Sequence, residues 1–326
     1  MKAPLPIGVI GVGALGRHHA RHLASAHGSE LVGVFDTDPV RAEEVAAACR
    51  TRAFHDLDQL LGRVEAVTVA VPTPAHCTVG LQALERGIAV LMEKPLAASL
   101  EEADTLIAAA AARGIPLQVG HIERFNRALR AAQPYLRNPR YLESTRLAPF
   151  QPRGTDVAVV LDLMIHDLDL LLHLTGGFAA TDVRANGIAV LSPLVDMADA
   201  RVEFANGAVA NVTASRMARE RVRRLRLFQP DGYFSLDLGA GRGEFMRLRP
   251  GFQPGSATSL EDIVERIPLE APGADALGLE LASFVQVVRG EPGVVVTAAE
   301  GRAALALAEQ VTEAIRRSAA VLTGAG

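Results

Sequence analysis

The sequence predicts a two-domain protein: an α/β domain with a doubly wound parallel sheet, followed by an α+β domain with a mostly antiparallel, open sheet. Apolar strands alternate with helices over the first half, which is typical of a parallel sheet covered on both faces. The second half instead holds strands joined by hairpin turns, at Asn206-Gly207 and Asp231-Gly232. The chain has 326 residues, more than one core usually holds, and we place the domains at residues 1–121 and 122–326.

Composition and charge indicate an ordinary soluble globular protein. Hydrophobic residues make up 49% of the chain and the formal net charge is −4, so neither nucleic acid nor a membrane is an expected partner. The two cysteines, Cys49 and Cys77, have neither metal-ligand spacing nor a disulfide framework, which is typical of a reducing compartment. No secretion signal or membrane-length apolar stretch is evident, and we expect a cytoplasmic protein.

The first half consists of successive predicted βα units. Helix 99–113 has the clearest start, because Ser99 stands at its N-cap with Glu102 three residues later, which is a capping box. The other boundaries follow from short apolar runs and the Gly, Pro and Asp residues between them. The predicted strands are 6–11, 31–35, 66–71, 89–92 and 117–120, and the predicted helices are 14–26, 39–49, 78–86 and 99–113.

The second half alternates less regularly. A long apolar helix is predicted over 158–174, before the pair Gly176-Gly177. A shorter helix covers 128–136, and two helices close the chain at 273–289 and 297–318. The predicted strands are 141–146, 182–191, 198–204, 208–217, 223–228 and 233–237.

The run GVGALG after the first strand is a candidate nucleotide-binding loop of the Rossmann type. Its glycines permit a tight turn, close approach of a pyrophosphate, and packing of the helix on the strand. Asp36 ends the second strand, at the distance where a carboxylate binds the ribose of NAD and repels the 2′-phosphate of NADP. We therefore predict NAD, with NADP less favoured and Arg41 softening the preference. The predicted contacts of this region are Gly11, Gly13, Ala14, Leu15, Gly16 and Asp36.

Two later strands end at the edge of the sheet where ligands of such sheets bind. Pro72 and Thr73 follow one strand, Glu93 and Lys94 follow the next, and all four are predicted to contact the cofactor. Lys94 is distinctive, because it and Lys2 are the only lysines among 33 basic residues. A lysine can exchange a proton, whereas an arginine in a protein cannot. Lys94 is therefore a candidate catalytic residue.

The run VVLDLMIHDLDLLLHL over 159–174 combines the pattern of a buried helix with carboxylates and imidazoles. At helical spacing Asp162 and His166 share a face that Asp169 and His173 continue, whereas Asp167 points elsewhere. Two interpretations stay open: a catalytic pair, or polar groups satisfied within the core or at a subunit contact. A zinc site from Asp162, His166 and His173 is less favoured, and we predict no metal.

These candidates suit the oxidation of an alcohol by NAD. The reaction needs a base that accepts the hydroxyl proton while a hydride leaves the same carbon. An imidazole exchanges protons near neutral pH, so His166 is the expected base and Asp162 would orient it. Lys94 would stabilise negative charge on the reacting oxygen. The predicted catalytic residues, which also contact the substrate, are Lys94, Asp162 and His166.

Segment 219–226 carries five arginines in near alternation, at positions 219, 221, 223, 224 and 226. This spacing predicts a strand with one solvated face. We favour that interpretation over a polyanion-binding site.

Together the motifs resemble those of the glucose–fructose oxidoreductase/inositol dehydrogenase/MocA family. GVGALG, FDTDP, the PTP turn, EKP and DLMIHDLD occur in family order, and TAAEG precedes the last helix, so the resemblance covers nearly the whole chain. It implies that Lys94, Asp162 and His166 are catalytic and that the Lys94-Pro95 bond is cis. It also implies a homodimer or homotetramer formed through the open face of the C-terminal sheet.

Within the family, GHIERFN (120–126) and the helix over 159–174 resemble the UDP-N-acetylglucosamine 3-dehydrogenase-like group, whose members oxidise the sugar 3-hydroxyl. An ion pair of Arg124 with Glu123 or Asp162 is an equally favoured role for that arginine. The alternatives are an inositol or other polyol dehydrogenase, an NAD-dependent glycosidase of the same fold, and a non-enzymatic NAD-binding sensor. The substrate contacts implied by the likeness are Glu123, Arg124 and Asn126, with Ser215 and Arg216 at the diphosphate.

Overall fold

The computed structural model describes residues 3–151, 157–252, 259–273 and 275–323, with side chains described up to residue 319. Contacts divide the chain into two compact units, residues 1–122 with 274–305, and residues 123–273 with 306–326. The division made from sequence assigned 274–305 to the C-terminal half, whereas these residues pack with the first unit. The functional domains at 1–121 and 122–326 stay a prediction.

The first unit is a six-stranded parallel sheet flanked by helices. Its strands are β1 (Leu5–Ile10), β2 (Ser29–Phe35), β3 (Arg52–Phe54), β4 (Ala66–Val69), β5 (Ala89–Glu93) and β6 (Leu117–Gly120). Its first helices are α1 (Gly16–Leu23), α2 (Pro39–Cys49), α3 (Leu57–Leu61), α4 (His76–Leu84) and α5 (Leu100–Arg113). The strand order β3-β2-β1-β4-β5-β6 is that of a Rossmann fold, so the predicted fold of this half is confirmed.

Capping side chains set the helix starts in this unit. Asp38 caps α2 by accepting two backbone N–H groups, and Ser99 caps α5 by accepting the N–H of Glu102 at 3.2 Å. The Glu102 carboxylate accepts the N–H of Ala98 instead of that of Ser99, so the predicted capping box closes one residue earlier. Strand β3 and helix α3 were not predicted, because segments of three and five residues give no clear periodicity.

The second unit is built on an eight-stranded sheet. Its strands are β7 (Tyr141–Leu147), β8 (Ala180–Ile188), β9 (Met197–Phe204), β10 (Val209–Ser215), β11 (Val222–Gln229), β12 (Gly232–Asp237), β13 (Arg242–Leu248) and β14 (Val264–Glu270). The order is β14-β13-β12-β11-β7-β10-β9-β8. The central pair β7–β10 is parallel and the neighbouring pairs are antiparallel, so the predicted mostly antiparallel sheet is confirmed.

The helices of this unit are α6 (Arg127–Ala132), α7 (Ile165–Leu174) and α8 (Leu260–Ile263). The residues Val160–Met164 before α7 form a π turn, in which the N–H of Ile165 donates to the carbonyl of Val160, five residues back. The helix predicted over 158–174 is therefore present, but it begins with a π turn and becomes α-helical only from Ile165. A π turn holds an extra residue, so the side chains on its two sides do not keep the predicted register.

Two helices complete the described chain, α9 (Ala276–Val288) and α10 (Ala298–Thr323). Helix α9 belongs to the first unit because Leu281, Phe284 and Val285 are buried in one core with Ile7 and Val9 of β1. Burying a side chain of this size stabilises the fold by about 1.5–3 kcal/mol. Within the described residues, no helix is long and apolar enough to cross a membrane.

Candidate functional site

The glycine-rich loop between β1 and α1 has the geometry of a nucleotide-binding loop. A side chain on Gly16 would place its Cβ 1.8 Å from the carbonyl oxygen of Gly11, so only glycine lets α1 begin this close to the loop. At Gly13 a Cβ would meet nothing within 4 Å, so open space lies beside the middle of the loop. Ala14 is half-buried and Leu15 is exposed, so both present surface there. The loop fits the pyrophosphate of a dinucleotide.

Asp36, at the end of β2, has its carboxylate held by three groups. It accepts the backbone N–H of Val12 at 2.8 Å and that of Asp38 at 2.9 Å. The guanidinium of Arg41 lies 3.2 Å away and is itself exposed to solvent. Since Val12 belongs to the glycine-rich loop, the structure brings the two predicted parts of the nucleotide site together. A fixed carboxylate beside the loop fits the ribose hydroxyls of NAD.

Glu93 and Lys94 lie at the end of β5. One carboxylate oxygen of Glu93 is 2.9 Å from Nε2 of His19 in α1, and the other accepts the backbone N–H of Lys94 at 3.2 Å. Burial would raise the pKa of Glu93, but the hydrogen bond and charge of His19 and the charge of Lys94 hold it below its usual value. Glu93 is therefore a fixed anion directly before Lys94. Lys94 is half-buried, and its bond to Pro95 is cis, as the family resemblance implies.

His76 links the ends of β4 and β5. Its Nδ1 lies 2.8 Å from the carbonyl oxygen of Pro95, and its Nε2 lies 3.0 Å from that of Val71. Burial lowers the pKa of His76, although the hydrogen bonds to these two carbonyls act in the opposite direction. His76 thereby fixes the backbone after Lys94 relative to the turn that carries Pro72, which is exposed, and Thr73, which is half-buried.

The roles of His19 and His76 were missed by sequence reasoning. No motif marks either side chain, because each one acts through a partner that is distant in the chain.

A pocket of about 210 Å³ opens in the second unit. Its charged lining consists of Asp162, Arg146, Arg216, Arg221 and Arg223. Two of these, Asp162 and Arg216, were predicted as site residues, and the structure places them on one pocket. The lining carries more positive than negative charge, which favours an anionic ligand.

Arg146 is held by two buried carboxylates. It donates to Asp167 through Nε at 2.6 Å and Nη2 at 3.1 Å, and to Glu123 through Nη1 at 2.9 Å. The hydroxyl of Ser144 also donates to Asp167, at 2.8 Å. Asp167 was predicted to point away from the helix face that carries Asp162, His166 and Asp169, and it pairs with Arg146, whereas Asp169 pairs with Arg124. The helix is buried on nearly all sides, so each of its carboxylates is paired with a different arginine.

Glu123 contacts two of the arginines that line the pocket. Besides Arg146, its carboxylate has Arg223 at 3.5 Å, and it accepts a hydrogen bond from Nδ2 of Asn126 at 2.9 Å. Asn126 also donates to the carbonyl of Leu238 and caps α6 by accepting an N–H. Glu123 and Asn126 are therefore buried structural partners of the pocket wall, and direct substrate contact by them stays a prediction.

Arg124 forms a bidentate ion pair with Asp169, with N–O distances of 2.7 and 2.8 Å. Both side chains are buried. The ion pair considered from sequence was with Glu123 or Asp162, so the kind of interaction was anticipated and its partner was not. A substrate contact of Arg124 likewise stays a prediction.

Arg216 is buried among protein groups, and only 5% of the residue is exposed. Its guanidinium lies 4.0 Å from Asp162 and 3.9 Å from Asp196, and it donates to the carbonyl of Val157. The hydroxyl of Ser215 accepts the N–H of Met217 at 3.1 Å. These contacts fix Arg216 in the lining of the pocket, with its guanidinium between the carboxylates of Asp162 and Asp196.

Asp196 in turn is a strongly held anion. Burial would raise the pKa of Asp196, but hydrogen bonds from the backbone N–H groups of Val190, Leu191 and Ser192, and from the Ser192 hydroxyl, lower it to about 2. Asp196 therefore stays ionised beside Arg216 over the whole physiological pH range.

The arginines of segment 219–226 divide between the two faces of β11. Arg224 and Arg226 are exposed, as the solvated-face interpretation requires, and Arg226 pairs with Glu143 at 2.9 Å. Arg223 stands opposite Arg146 in the β7–β11 register and lines the pocket, as does Arg221. The sequence interpretation was thus incomplete, since alternation distinguishes two faces without showing what each face meets.

The four polar side chains predicted to share one face of the helix over 159–174 lie in different environments. Asp162 lines the pocket, His166 is half-buried, Asp169 is buried against Arg124, and His173 is exposed. Within the described residues, no group of three or more His, Cys, Asp or Glu side chains is placed to hold a metal ion. The structure therefore gives the zinc interpretation no support.

Family models match most of the chain. Residues 5–121 match the model described as an oxidoreductase family with an NAD-binding Rossmann fold. Residues 130–235 match the GFO/IDH/MocA C-terminal domain.

Individual relatives extend this likeness. The UDP-N-acetylglucosamine 3-dehydrogenase of Acidithiobacillus ferrooxidans is 43% identical over 313 residues, which cover 94% of this chain and 96% of the relative. A solved structure of that dehydrogenase has a TM-score of 0.89 at 42% identity, covering 96% and 98% of the two chains. The scyllo-inositol 2-dehydrogenase (NAD(+)) of Bacillus subtilis is 31% identical over 227 residues, or 64% of this chain and 66% of the relative. The myo-inositol 2-dehydrogenase structure from Lactobacillus plantarum, at 21% identity, 97% and 98% coverage and a TM-score of 0.79, shares the fold.

Proposed function

The chain belongs to the GFO/IDH/MocA family of oxidoreductases with an NAD-binding Rossmann domain, and we propose that it oxidises the 3-hydroxyl of UDP-N-acetylglucosamine to a ketone. The observation that carries the proposal is the pocket of the second unit, where Asp162 shares a lining with four arginines. A neutral polyol brings no anion to this arginine-rich lining, whereas a nucleotide sugar carries a diphosphate. The relative that is 43% identical bears the name of this activity.

The residues that would hold NAD are those of the first unit. The glycine-rich loop would take the pyrophosphate and Asp36 the adenosine ribose. Pro72, Thr73, Glu93 and Lys94, at the ends of β4 and β5, would contact the nicotinamide end. When bound, NAD supplies the acceptor for a hydride.

In the proposed reaction, the C3 hydrogen leaves the sugar as a hydride, the hydroxyl proton leaves to a base, and a C=O bond forms. His166 accepts that proton and Asp162 orients the imidazole. Lys94 donates a hydrogen bond to the reacting oxygen and stabilises its negative charge. Glu93, held by His19, and His76, acting through the Pro95 carbonyl, fix the backbone on both sides of Lys94.

The proposed setting is the cytoplasm, and the proposed assembly is a homodimer or homotetramer through the open face of the eight-stranded sheet. Two free cysteines support a reducing compartment. Half-buried rings support the interface: Tyr141, Phe228 and Tyr233 pack with centroids 5.6 and 5.2 Å apart, opposite the face that buries Leu142 and Leu227. Light scattering tests the assembly, because a monomer of 34.5 kDa would contradict it.

The proposed activity is tested by NADH absorbance with purified protein, NAD and either UDP-N-acetylglucosamine or myo-inositol. We expect NADH with the nucleotide sugar only. NADH with myo-inositol only would refute the substrate and keep the family. Absence of NADH with both would refute the proposed reaction.

A further inference from the structure

The charges around the pocket are unevenly compensated. Arg146 is paired with Asp167 and Glu123, and Arg216 lies between Asp162 and Asp196. The guanidinium of Arg223 is 3.5 Å from Glu123, a carboxylate that already binds Arg146 at 2.9 Å. Arg221 is exposed at the pocket. Among the arginines of the lining, Arg221 and Arg223 therefore have the weakest carboxylate contacts.

The environment of Arg223 supports this assignment. Burial lowers the pKa of Arg223, and the neighbouring charges of Arg146 and Arg221 act in the same direction, against the attraction of Glu123. A guanidinium in such surroundings gains from an added anion. Because β7 and β11 are hydrogen-bonded neighbours, Arg223 is held on the same face as Arg146.

We propose that Arg221 and Arg223 bind the phosphate groups of the substrate. This inference rests on the proposed function and deepens it by naming the residues that recognise the charged part of the nucleotide sugar. Planar guanidinium groups bind phosphate oxygens in a bidentate manner, which gives both affinity and orientation. Arg216, which the family resemblance placed at the diphosphate, lines the same pocket, and its contact with the substrate stays a prediction.

The size of the pocket agrees with a partial ligand. Its volume of about 210 Å³ lies below the roughly 300–1,000 Å³ of sites that enclose a whole small molecule. It suits a phosphate-bearing part of the substrate. Two sources of this phosphate are chemically equivalent at the arginines: the diphosphate of a nucleotide sugar and the phosphate of a sugar monophosphate. Of the two, only the nucleotide sugar carries uridine.

Titration calorimetry on the full-length protein distinguishes these sources with three probes: UDP, N-acetylglucosamine 1-phosphate and uridine. We expect UDP to bind, uridine to bind far more weakly, and UDP affinity to fall by roughly tenfold or more in Arg221→Gln and in Arg223→Gln. Arg224→Gln is the matched control, because it removes the same charge from the exposed face of the same strand. Its affinity should stay within about twofold of the wild type.

Comparable binding of UDP and of N-acetylglucosamine 1-phosphate would identify a single phosphate as the recognised group. A preference for UDP that exceeds what the weak binding of uridine accounts for would identify the diphosphate. In turnover with UDP-N-acetylglucosamine, we expect both variants to raise KM and to change kcat little, since the phosphates do not react.

Direct binding separates this inference from the proposed function. Loss of UDP affinity in the variants, with no NADH formed by the wild type, would keep the phosphate site and refute the oxidation. Equal UDP affinity in the wild type and both variants would overturn the site, as would absence of phosphate binding at millimolar concentration. Circular dichroism checks the fold of Arg223→Gln, which loses a contact to Glu123. If Arg223→Gln is unfolded, the affinity of Arg221→Gln alone decides the test.

Discussion

The two units position their polar groups by different means. In the first unit backbone N–H groups do much of this: those of Val12 and Asp38 donate to Asp36, and that of Lys94 donates to Glu93. In the second unit buried side chains hold one another, as Arg146, Asp167 and Glu123 do across three segments of chain. The first arrangement relies on backbone geometry, whereas the second depends on every member of a connected set of charges. Substitutions can test this difference.

The largest expected effect concerns Lys94, whose proposed contribution is chemical. Lys94→Arg keeps a positive charge at the end of β5 but replaces the compact ammonium, proposed to donate to the reacting oxygen, with a larger planar guanidinium. We expect kcat with UDP-N-acetylglucosamine to fall by about 10²–10⁴-fold, with little change in NADH affinity. Steady-state kinetics and fluorescence titration of NADH measure the two quantities. If the arginine variant keeps the wild-type kcat, Lys94 contributes only its positive charge, and the proposed role is contradicted.

The next effect should show how strongly the second unit depends on its paired charges. Arg146→Met leaves Asp167 and Glu123 buried without their main cation, and we expect a loss of about 3–5 kcal/mol in the free energy of unfolding. Arg201→Met on the same sheet is the control. Its exposed pair with Glu203, at 3.5 Å, should contribute no more than about 1 kcal/mol. Urea unfolding at pH 7 measures both, and equal losses would contradict the comparison.

Two alanine substitutions separate packing from ligand space in the glycine-rich loop. Gly16→Ala should cost about 3 kcal/mol, because the new Cβ would meet the carbonyl of Gly11 at 1.8 Å. Gly13→Ala should leave the thermal unfolding temperature nearly unchanged, since its Cβ meets no protein atom within 4 Å. It should nevertheless weaken NADH binding, because the methyl group occupies the ligand's side of the loop. Full NADH affinity in Gly13→Ala would place the pyrophosphate elsewhere.

A smaller and pH-dependent effect is expected at Asp196. Its pKa in the folded protein, about 2, lies below the usual 3.8, so the ionised carboxylate stabilises the fold. That contribution is present above about pH 4 and is lost as the pH falls towards 2. At about 1.4 kcal/mol per pKa unit, Asp196→Asn should lower the free energy of unfolding by about 2 kcal/mol at pH 7. Urea unfolding at pH 7 and pH 3 should show the difference narrowing, and a constant difference would contradict this cause.

The same comparison explains what the sequence could predict. The alternation of strands and helices, the glycine-rich loop and Asp36 were each recognised from short stretches of sequence. The structure confirms the parallel sheet and brings Asp36 to the loop, and their contacts with NAD stay a prediction. Lys94 was identified by its rarity and its place after a strand. The contacts of His19 and His76 were not identified, because Glu93 and Pro95 lie 74 and 19 residues away from them, respectively.

For the second unit, the type of sheet could be predicted from the sequence, but the contacts between its side chains could not. Alternation and turn residues predicted a mostly antiparallel sheet, but nothing local showed that Arg223 would face Arg146 across two strands. The π turn at Val160–Met164 cannot be recognised from the apolar pattern. Asp162 and His173 were therefore assigned to one helix face on the assumption of regular α-helical spacing. Pairing of Asp167 and Asp169 with different arginines likewise depends on contacts between distant segments.

The central claim is that this chain removes a hydride from C3 of a nucleotide sugar. UDP-N-acetylglucosamine that carries deuterium at C3 tests it directly, with mass spectrometry of the reduced cofactor and the sugar product after one turnover. We predict that the deuterium is recovered in the reduced cofactor and that the product is the 3-keto sugar. Unlabelled NADH, or a product that keeps its deuterium at C3, would contradict the account.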